Sequence, residues 1–220
     1  MARVSDKLKE RLNGIRAYPV GLSADDVKRL QLTPDLVEDV LSSLASADVV
    51  DQQIALFFSE VLIWPGKINP AHESTLVSRI VDLGRGPTDR VKSSALKMVT
   101  RFRASVPDFR SLMMEGLSSS DPMVRKEAVL AYELYCLPKE VAPLERFEHD
   151  DYVTETAMGG PLLYELRNLA LETIERVIGK NFRKAEKTEA RSTGEVAFWW
   201  DWSPYHAWKK GGFLGSLFKR

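Results

Sequence analysis

The chain has 220 residues, of which 44% are hydrophobic and 28% charged, and its 31 basic and 31 acidic residues give a formal net charge of zero. This length suits one full-size domain with its own hydrophobic core and falls short of what two domains need. The composition is that of an ordinary soluble globular protein, and the single cysteine, Cys136, excludes an intramolecular disulfide and suits a reducing compartment.

Neither a targeting nor a membrane-spanning segment is evident in the sequence. The segment from Met1 to Lys7 is charged and lacks the apolar stretch of a secretory signal. The most apolar segment, Ile54 to Trp64, is interrupted by Ser59 and Glu60 and is too short to span a bilayer. We therefore expect a cytoplasmic protein.

Apolar residues recur at helical spacing along most of the chain, and no run alternates with period two. A stripe from Leu8 to Ile15 predicts the first helix, and Ser23 begins a short second one. Thr33 is the expected N-cap of a third helix, and a fourth covers 48–64. Further helices are predicted at 70–83, 87–99, 107–117, 121–137, 139–148 and 162–178.

Internal similarity indicates a repeated unit. The segment from Thr88 to Leu96 aligns without gaps with the segment from Asp121 to Val129, and the same register fits two weaker copies. The four copies are anchored at Val50, Val91, Val124 and Leu166, which are 41, 33 and 42 residues apart. These intervals are the size of a two-helix unit that stacks on its neighbours to bury its apolar face.

The best copy, Asp121-Pro122-x-Val124-Arg125-x-x-Ala128, resembles the second helix of HEAT/armadillo-like repeats. The copy from Thr88 to Ala95 is similar, with lysine in place of arginine, and the resemblance covers about residues 33–179. It implies an all-α fold, a right-handed superhelix of antiparallel helix pairs that offers a surface for protein binding. It implies no catalytic residues.

The repeat register also assigns structural roles to charged side chains. Lys92, Arg125 and Arg167 recur at one repeat position, and we expect them to pair with acids of neighbouring repeats such as Asp89 or Asp121. The predicted repeat-stacking residues are Asp89, Val91, Lys92, Asp121, Val124, Arg125 and Arg167.

No pattern of catalytic or metal-binding residues is present in the sequence. There is no phosphate-binding glycine loop, no Gly-x-Ser-x-Gly turn, no zinc-type histidine pair and only three histidines. The densest group of ligand-type side chains is interpreted as a charged loop rather than a metal site: Glu145, Glu148, His149, Asp150 and Asp151. We expect no enzyme activity, no cofactor and no metal.

The C-terminal residues differ from the rest, which predicts a repeat domain at 1–179 and a basic extension at 180–220. The extension has nine basic and four acidic residues, against 22 and 27 in the remainder. A polar stretch at 180–191 is interpreted as further helix and 192–194 as a linker. Four of the five tryptophans follow. The predicted partner-binding residues are Phe198, Trp199, Trp200, Trp202, Tyr205, Trp208, Lys209 and Lys210.

Three interpretations of this extension stay open: a cap on the last repeat, a recognition peptide for another protein, or a membrane-interface anchor. The function that the sequence favours is a non-catalytic protein-binding module, an adaptor or an inhibitor similar to bacterial immunity proteins. The alternatives are a peripheral membrane adaptor and a HEAT-like alkylpurine DNA glycosylase, to whose Trp/Asp pair Trp199-Trp200-Asp201 is similar. The acidic remainder of the chain disfavours nucleic acid as a partner.

Overall fold

The computed structural model describes residues 34–63, 68–102, 107–156 and 160–211. The two helices predicted before residue 33, and the N-cap at Thr33, lie outside the described residues. The chain divides into two compact units, Met1–Leu112 and Met113–Arg220. The boundary predicted at 179/180 lies inside the second unit.

The first unit consists of paired helices. The helix α1 packs against α2 and α3, while α4 packs against α2 and α3. First helices of the two pairs are therefore in contact with each other, and so are the second helices. The elements are α1 (Pro34–Leu44), α2 (Val49–Ile63), α3 (Pro70–Gly84), α4 (Asp89–Val99) and α5 (Pro107–Leu117), of which the last crosses into the second unit.

Local chemistry explains where α3 begins. Asn69 precedes α3, and its side-chain oxygen accepts a hydrogen bond of 2.8 Å from the backbone N–H of His72. Pro70 occupies the first helical turn, where a missing N–H costs nothing. One apolar face of each helix then forms the core of this unit, whose buried members include Leu36, Val40, Leu44, Ile54, Phe58, Leu76, Ile80, Val91, Ala95, Val99 and Phe109.

In the second unit, helix α7 contacts α6, the 3-10 helices and the sheet. Asp121 caps α6, since its carboxylate accepts from the backbone N–H of Val124 at 2.9 Å, with Pro122 as the first helical residue. The elements are α6 (Pro122–Glu133), the 3-10 helices η1 (Pro138–Glu140) and η2 (Ala142–His149), β1 (Val153–Glu155), β2 (Leu162–Tyr164), α7 (Glu165–Ile178), β3 (Glu186–Ala190), β4 (Val196–Trp200) and α8 (Ser203–Lys210).

Four short strands form one mixed sheet in the order β1-β2-β4-β3. The strands β1 and β2 are antiparallel, as are β3 and β4, whereas β2 and β4 are parallel. Leu163 lies beside Phe198, which in turn lies beside Thr188. The sheet therefore joins the C-terminal hairpin to the strand that leads directly into α7.

The described structure is mostly helical, as expected, and the sheet is an addition that the all-α prediction did not include. Residues 162–164, assigned to the long helix, are β2, and the predicted helix at 180–191 contains β3 instead. Strands of three to five residues are too short to show a period-two pattern, and the parallel partner of β2, the strand β4, is more than 30 residues away. The helix predicted at 121–137 ends at Glu133, and 139–148 is 3-10 rather than α-helical.

The residues interpreted as a linker, 192–194, form the turn of the β3–β4 hairpin. The backbone N–H of Arg191 donates to the carbonyl of Glu195 at 2.8 Å, and that of Gly194 donates to Arg191 at 2.9 Å. Gly194 has a φ of 84°, a conformation that glycine adopts without steric cost. This glycine therefore fits a tight turn.

Candidate binding surface

The end of the tryptophan-rich segment lies in the core of the second unit. Trp202 and Tyr205 are 1% and 0% exposed, and their rings are nearly perpendicular with centroids 6.0 Å apart. The ring of Phe182 lies 5.4 Å from that of Tyr205 and 5.5 Å from that of Trp208. These separations are typical of stabilising aromatic pairs. The end of the segment is therefore packed within its own unit, whereas its role as a cap on a repeat stays a prediction.

Acidic side chains of η2 hold α8 in place. The carboxylate of Glu145 accepts hydrogen bonds from the Tyr205 hydroxyl and from Nζ of Lys209, the latter at 2.6 and 2.7 Å. Nε2 of His206 lies 2.8 Å from Oε2 of Glu148. Burial of the phenol, together with its bond to Glu145, raises the pKa of Tyr205. Two of the five clustered ligand-type residues therefore bind side chains of α8.

This packing corrects part of the predicted partner-binding set. Trp202 and Tyr205 are buried, and a partner cannot contact them without unfolding this part of the unit. Lys209 is paired with Glu145. The remaining predicted residues are half-buried or exposed: Phe198, Trp199, Trp200, Trp208 and Lys210.

Two of the predicted repeat-stacking cations meet at one acidic residue of the second unit. NH2 of Arg125 lies 2.9 Å from Oδ2 of Asp150, and its NH1 donates to the carbonyls of Ser119 and Ser120 at 3.1 and 2.8 Å. Nε of Arg167 donates to the carbonyl of Asp150 at 2.7 Å. Arg125 thus pairs with Asp150 rather than with Asp121, which caps α6.

The other predicted repeat residues differ from one another in burial and in pairing. In the first unit, Lys92 pairs with Asp89 of its own helix at 2.9 Å, not with an acid of a neighbouring repeat. Val91 and Val124 are each 2% exposed, as an anchor position requires. Val50, the anchor of the proposed first copy, is instead 53% exposed, because it lies on the outer side of the first turn of α2. That copy does not share the burial of the others.

One face of the sheet is turned toward α7. Tyr164 and Trp199 project on this inner face, where their ring centroids are 5.4 Å apart. The guanidinium carbon of Arg167, on α7, lies 3.7 Å from the centroid of the Tyr164 ring and 4.8 Å from that of Trp199. Such stacking is a favourable cation–π arrangement. Burial and a hydrogen bond of 3.1 Å to Glu189 raise the pKa of Tyr164.

The opposite face, which we call the outer face, carries apolar side chains near solvent. Because side chains alternate along a strand, Val196, Phe198 and Trp200 of β4 share this face. Leu163 of β2 lies beside Phe198 and points the same way. Val196 is 55% exposed, and the other three are half-buried. The outer face is therefore a short apolar row across two central strands.

Two contacts hold the end of β4, which carries part of the outer face. The side-chain oxygen of Asn168, a buried residue of α7, accepts from the backbone N–H of Trp200 at 2.8 Å. The guanidinium carbon of Arg183 lies 5.8 Å from the centroid of the Trp200 ring. The first contact joins the end of β4 to α7, and the second places the Trp200 ring beside the segment that follows α7.

The carboxylate of Asp201, which follows β4, is bound by neighbouring side chains. Nζ of Lys187 lies 2.7 Å from its Oδ1, and this bond holds the pKa of the carboxyl below its usual value. The same oxygen accepts from the backbone N–H and the hydroxyl of Ser203 at 3.1 and 2.8 Å. The carboxylate therefore supports the start of α8.

A polar depression of about 400 Å³ lies between the loop before α6 and η2. Arg125, Arg146 and His149 line it together with Asp150 and Asp151. Arg146 donates to the hydroxyl of Ser118 at 2.7 Å, and Arg125 is paired with Asp150 as above. Within the described ranges, no three carboxylate, imidazole or thiol groups come together as a metal site would require.

Comparison of the chain with protein-family models, with curated proteins and with solved structures gave no match. Among the described residues, no helix is long and apolar enough to cross a membrane.

Sequence reasoning missed two residues that hold this unit together. Glu175 and Asn168 are polar members of α7, each 7% exposed. Both fall at positions where the helical pattern alone predicts an ordinary polar surface residue. Their partners, at 182–183 and 200, follow in segments whose structure the pattern misassigned or left undefined. Only the positions of these partners in space would have indicated a buried role.

Proposed function

We propose that the chain is a non-catalytic protein-binding module, an adaptor or an inhibitor, that holds a partner protein against the outer face of its sheet. The observation that carries this proposal is the apolar row of Leu163, Val196, Phe198 and Trp200. Apolar side chains that lie near solvent on one face of a sheet are typical of protein-binding surfaces.

The row combines the properties that an efficient binding surface needs. The backbone that carries its aromatic side chains is already fixed by the bond to Asn168 and by the strand ladder of β4. Ordering in advance lowers the entropy that is lost when a partner binds. Polar residues of β3, Glu186 and Thr188, flank the row on the same face and supply the polar rim that is common around apolar contacts.

The packing of the first unit supports the resemblance to HEAT/armadillo-like repeats. Contact of α1 with α3 and of α2 with α4 is the layering expected of two stacked helix pairs. In the proposal, this unit is a repeat scaffold and the second unit carries the binding face. An inhibitor of the immunity-protein type fits the excess of acidic residues in 1–179.

The contacts of Asp201 and the burial of two aromatic residues favour a binding function over the alternatives predicted from the sequence. Asp201, the acid of the glycosylase-like pair, is engaged by Lys187 and Ser203. The membrane anchor draws on the same aromatic cluster and on Lys209, but Trp202 and Tyr205 are buried and Lys209 is paired with Glu145, which removes part of the surface that such an anchor would use.

The test is a comparison of two matched substitutions. Val196→Asp places a charge on the outer face, whereas Leu134→Asp places one at a site of almost equal exposure, 56% against 55%, away from the sheet. In affinity capture from native lysate we expect one stoichiometric protein with the wild type and with Leu134→Asp, and its loss with Val196→Asp. Capture that Val196→Asp leaves unchanged, or that both variants abolish equally, would contradict the proposal.

A further inference from the structure

Within the part of the chain that the structure describes, β3 forms an edge of the sheet that is open to a second strand. It is the last strand of the sheet, and all five of its residues are exposed. The backbone N–H of Asp201 donates to the carbonyl of Ala185, and that of Arg191 donates to Glu195. Given the register of the hairpin, the odd-numbered residues of β3 are bonded to β4, so the N–H and C=O groups of Glu186, Thr188 and Ala190 point away from the sheet.

We infer that two copies of this chain associate by antiparallel pairing of β3 with β3, about a twofold axis at Thr188. In this register Thr188 faces Thr188 of the second copy, and Glu186 faces its Ala190. All three outward N–H groups and all three outward C=O groups then find partners, which gives six hydrogen bonds between the chains. An unpaired strand edge is a ready template for this kind of association.

The charges of β3 fit this register. Lys187 faces Glu189 of the second copy, and Glu189 faces its Lys187, so two pairs of opposite charge form across the interface. Directly opposed charges of opposite sign stabilise a strand pair, and like charges destabilise it. Lys187 has a side chain that is 50% exposed, so it can reach the second copy while it stays near Asp201.

The neighbouring registers are disfavoured by the same residues. Pairing must keep even-numbered residues opposite even-numbered ones, because only these have outward backbone groups. With the twofold axis at residue 187, Lys187 of one copy would face Lys187 of the other. With the axis at residue 189, Glu189 of one copy would face Glu189 of the other, and Lys187 would face Arg191. Charge therefore selects the register centred on Thr188.

The paired arrangement is consistent with the alternation of the sheet. A twofold axis perpendicular to the sheet at Thr188 puts the outer faces of both copies on the same side of one eight-stranded sheet. The ladder is short, so the association is expected to be weak and to depend on concentration. The inference does not rest on the proposed function, since its residues lie on the edge of β3 and not on the apolar row.

A charge-swap experiment tests the inference. Sedimentation of the full chain over a concentration series should show a monomer–dimer equilibrium. Lys187→Glu and Glu189→Lys should each raise the dissociation constant about tenfold or more, because each creates like-charge contacts across the interface. The double variant should return it to within about threefold of the wild type, since opposite charges would again face each other between the two positions. The double variant does not restore the contact of residue 187 with Asp201, so rescue reports the contact between chains.

Thr188→Pro is the second variant, for the case in which a charge variant fails to fold. The N–H of Thr188 points outward, so proline removes none of the bonds to β4 and is tolerated on an edge strand. It should abolish the dimer and leave circular dichroism unchanged. A wild type that stays monomeric throughout the series, a double variant without rescue, or a dimer that Thr188→Pro leaves intact would each overturn the inference.

Discussion

Glu175 illustrates how a single buried carboxylate organises the second unit. Its Oε1 accepts from the backbone N–H of Arg183 at 2.8 Å and from that of Phe182, and its Oε2 accepts from Nε of Arg183 at 2.6 Å. With 7% exposure, the charge is compensated almost entirely by these donors. The residue thereby fixes the chain that leaves α7 toward β3.

We expect Glu175→Gln to lower the free energy of unfolding by about 2–3 kcal/mol, because an amide NH2 group then faces donors that lose a charged acceptor. Urea unfolding followed by tryptophan fluorescence measures the change. Glu172→Gln is the matched control: this carboxylate also contacts Arg183, at 2.7 Å, but is 30% exposed, and its loss should cost less than about 1 kcal/mol. If both variants lost the same free energy of unfolding, the burial of Glu175 would not account for its contribution to stability.

At the scale of elements, the sequence predicted the helices from α1 to α7 but missed α8 and all four strands. Pro70 and the Asp121-Pro122 pair mark helix starts by local chemistry, and the structure confirms both. The hairpin strand β3, with the sequence EKTEA, has no apolar side chain larger than alanine, so its conformation depends on pairing with β4. The parallel contact between β2 and β4 joins residues far apart in sequence, and no local pattern encodes it.

A substitution at the end of α7 measures how much one residue with a left-handed backbone conformation contributes to stability. Gly179 has a φ of 73°, and its backbone N–H donates to the carbonyl of Glu175 at 2.8 Å. Nothing lies within 4 Å of an added Cβ, so Gly179→Ala should cost about 1 kcal/mol from backbone conformation alone. Gly211→Ala is the control, because its φ of −66° suits any residue, and it should stay within about 0.5 kcal/mol of the wild type. Thermal unfolding separates the two, and equal destabilisation would contradict the role of the left-handed conformation.

At the scale of the whole molecule, the sheet changes the structural role that is assigned to the C-terminal aromatic segment. Sequence alone sets 180–220 apart as a basic extension and treats its rings as one group. The structure divides that group: Trp202 and Tyr205 are core residues of the second unit, whereas Phe198 and Trp200 lie on the outer face of the sheet. The sequence could identify the aromatic cluster as important, but not this division, because it follows from strand alternation and from packing with η2.

If the segment is part of the core, its largest ring should contribute as a core residue does. Trp202→Ala should lower the free energy of unfolding of the full chain by about 3–5 kcal/mol, since it removes a side chain that is 1% exposed. Val196→Ala, at 55% exposure, should cost less than about 1 kcal/mol in the same urea titration. A tail that merely rests on the surface would make the two losses similar. A large loss for Trp202 alone would instead mean that residues beyond β4 are needed for the second unit to fold, so a truncation at residue 200 could not be used to isolate the binding face.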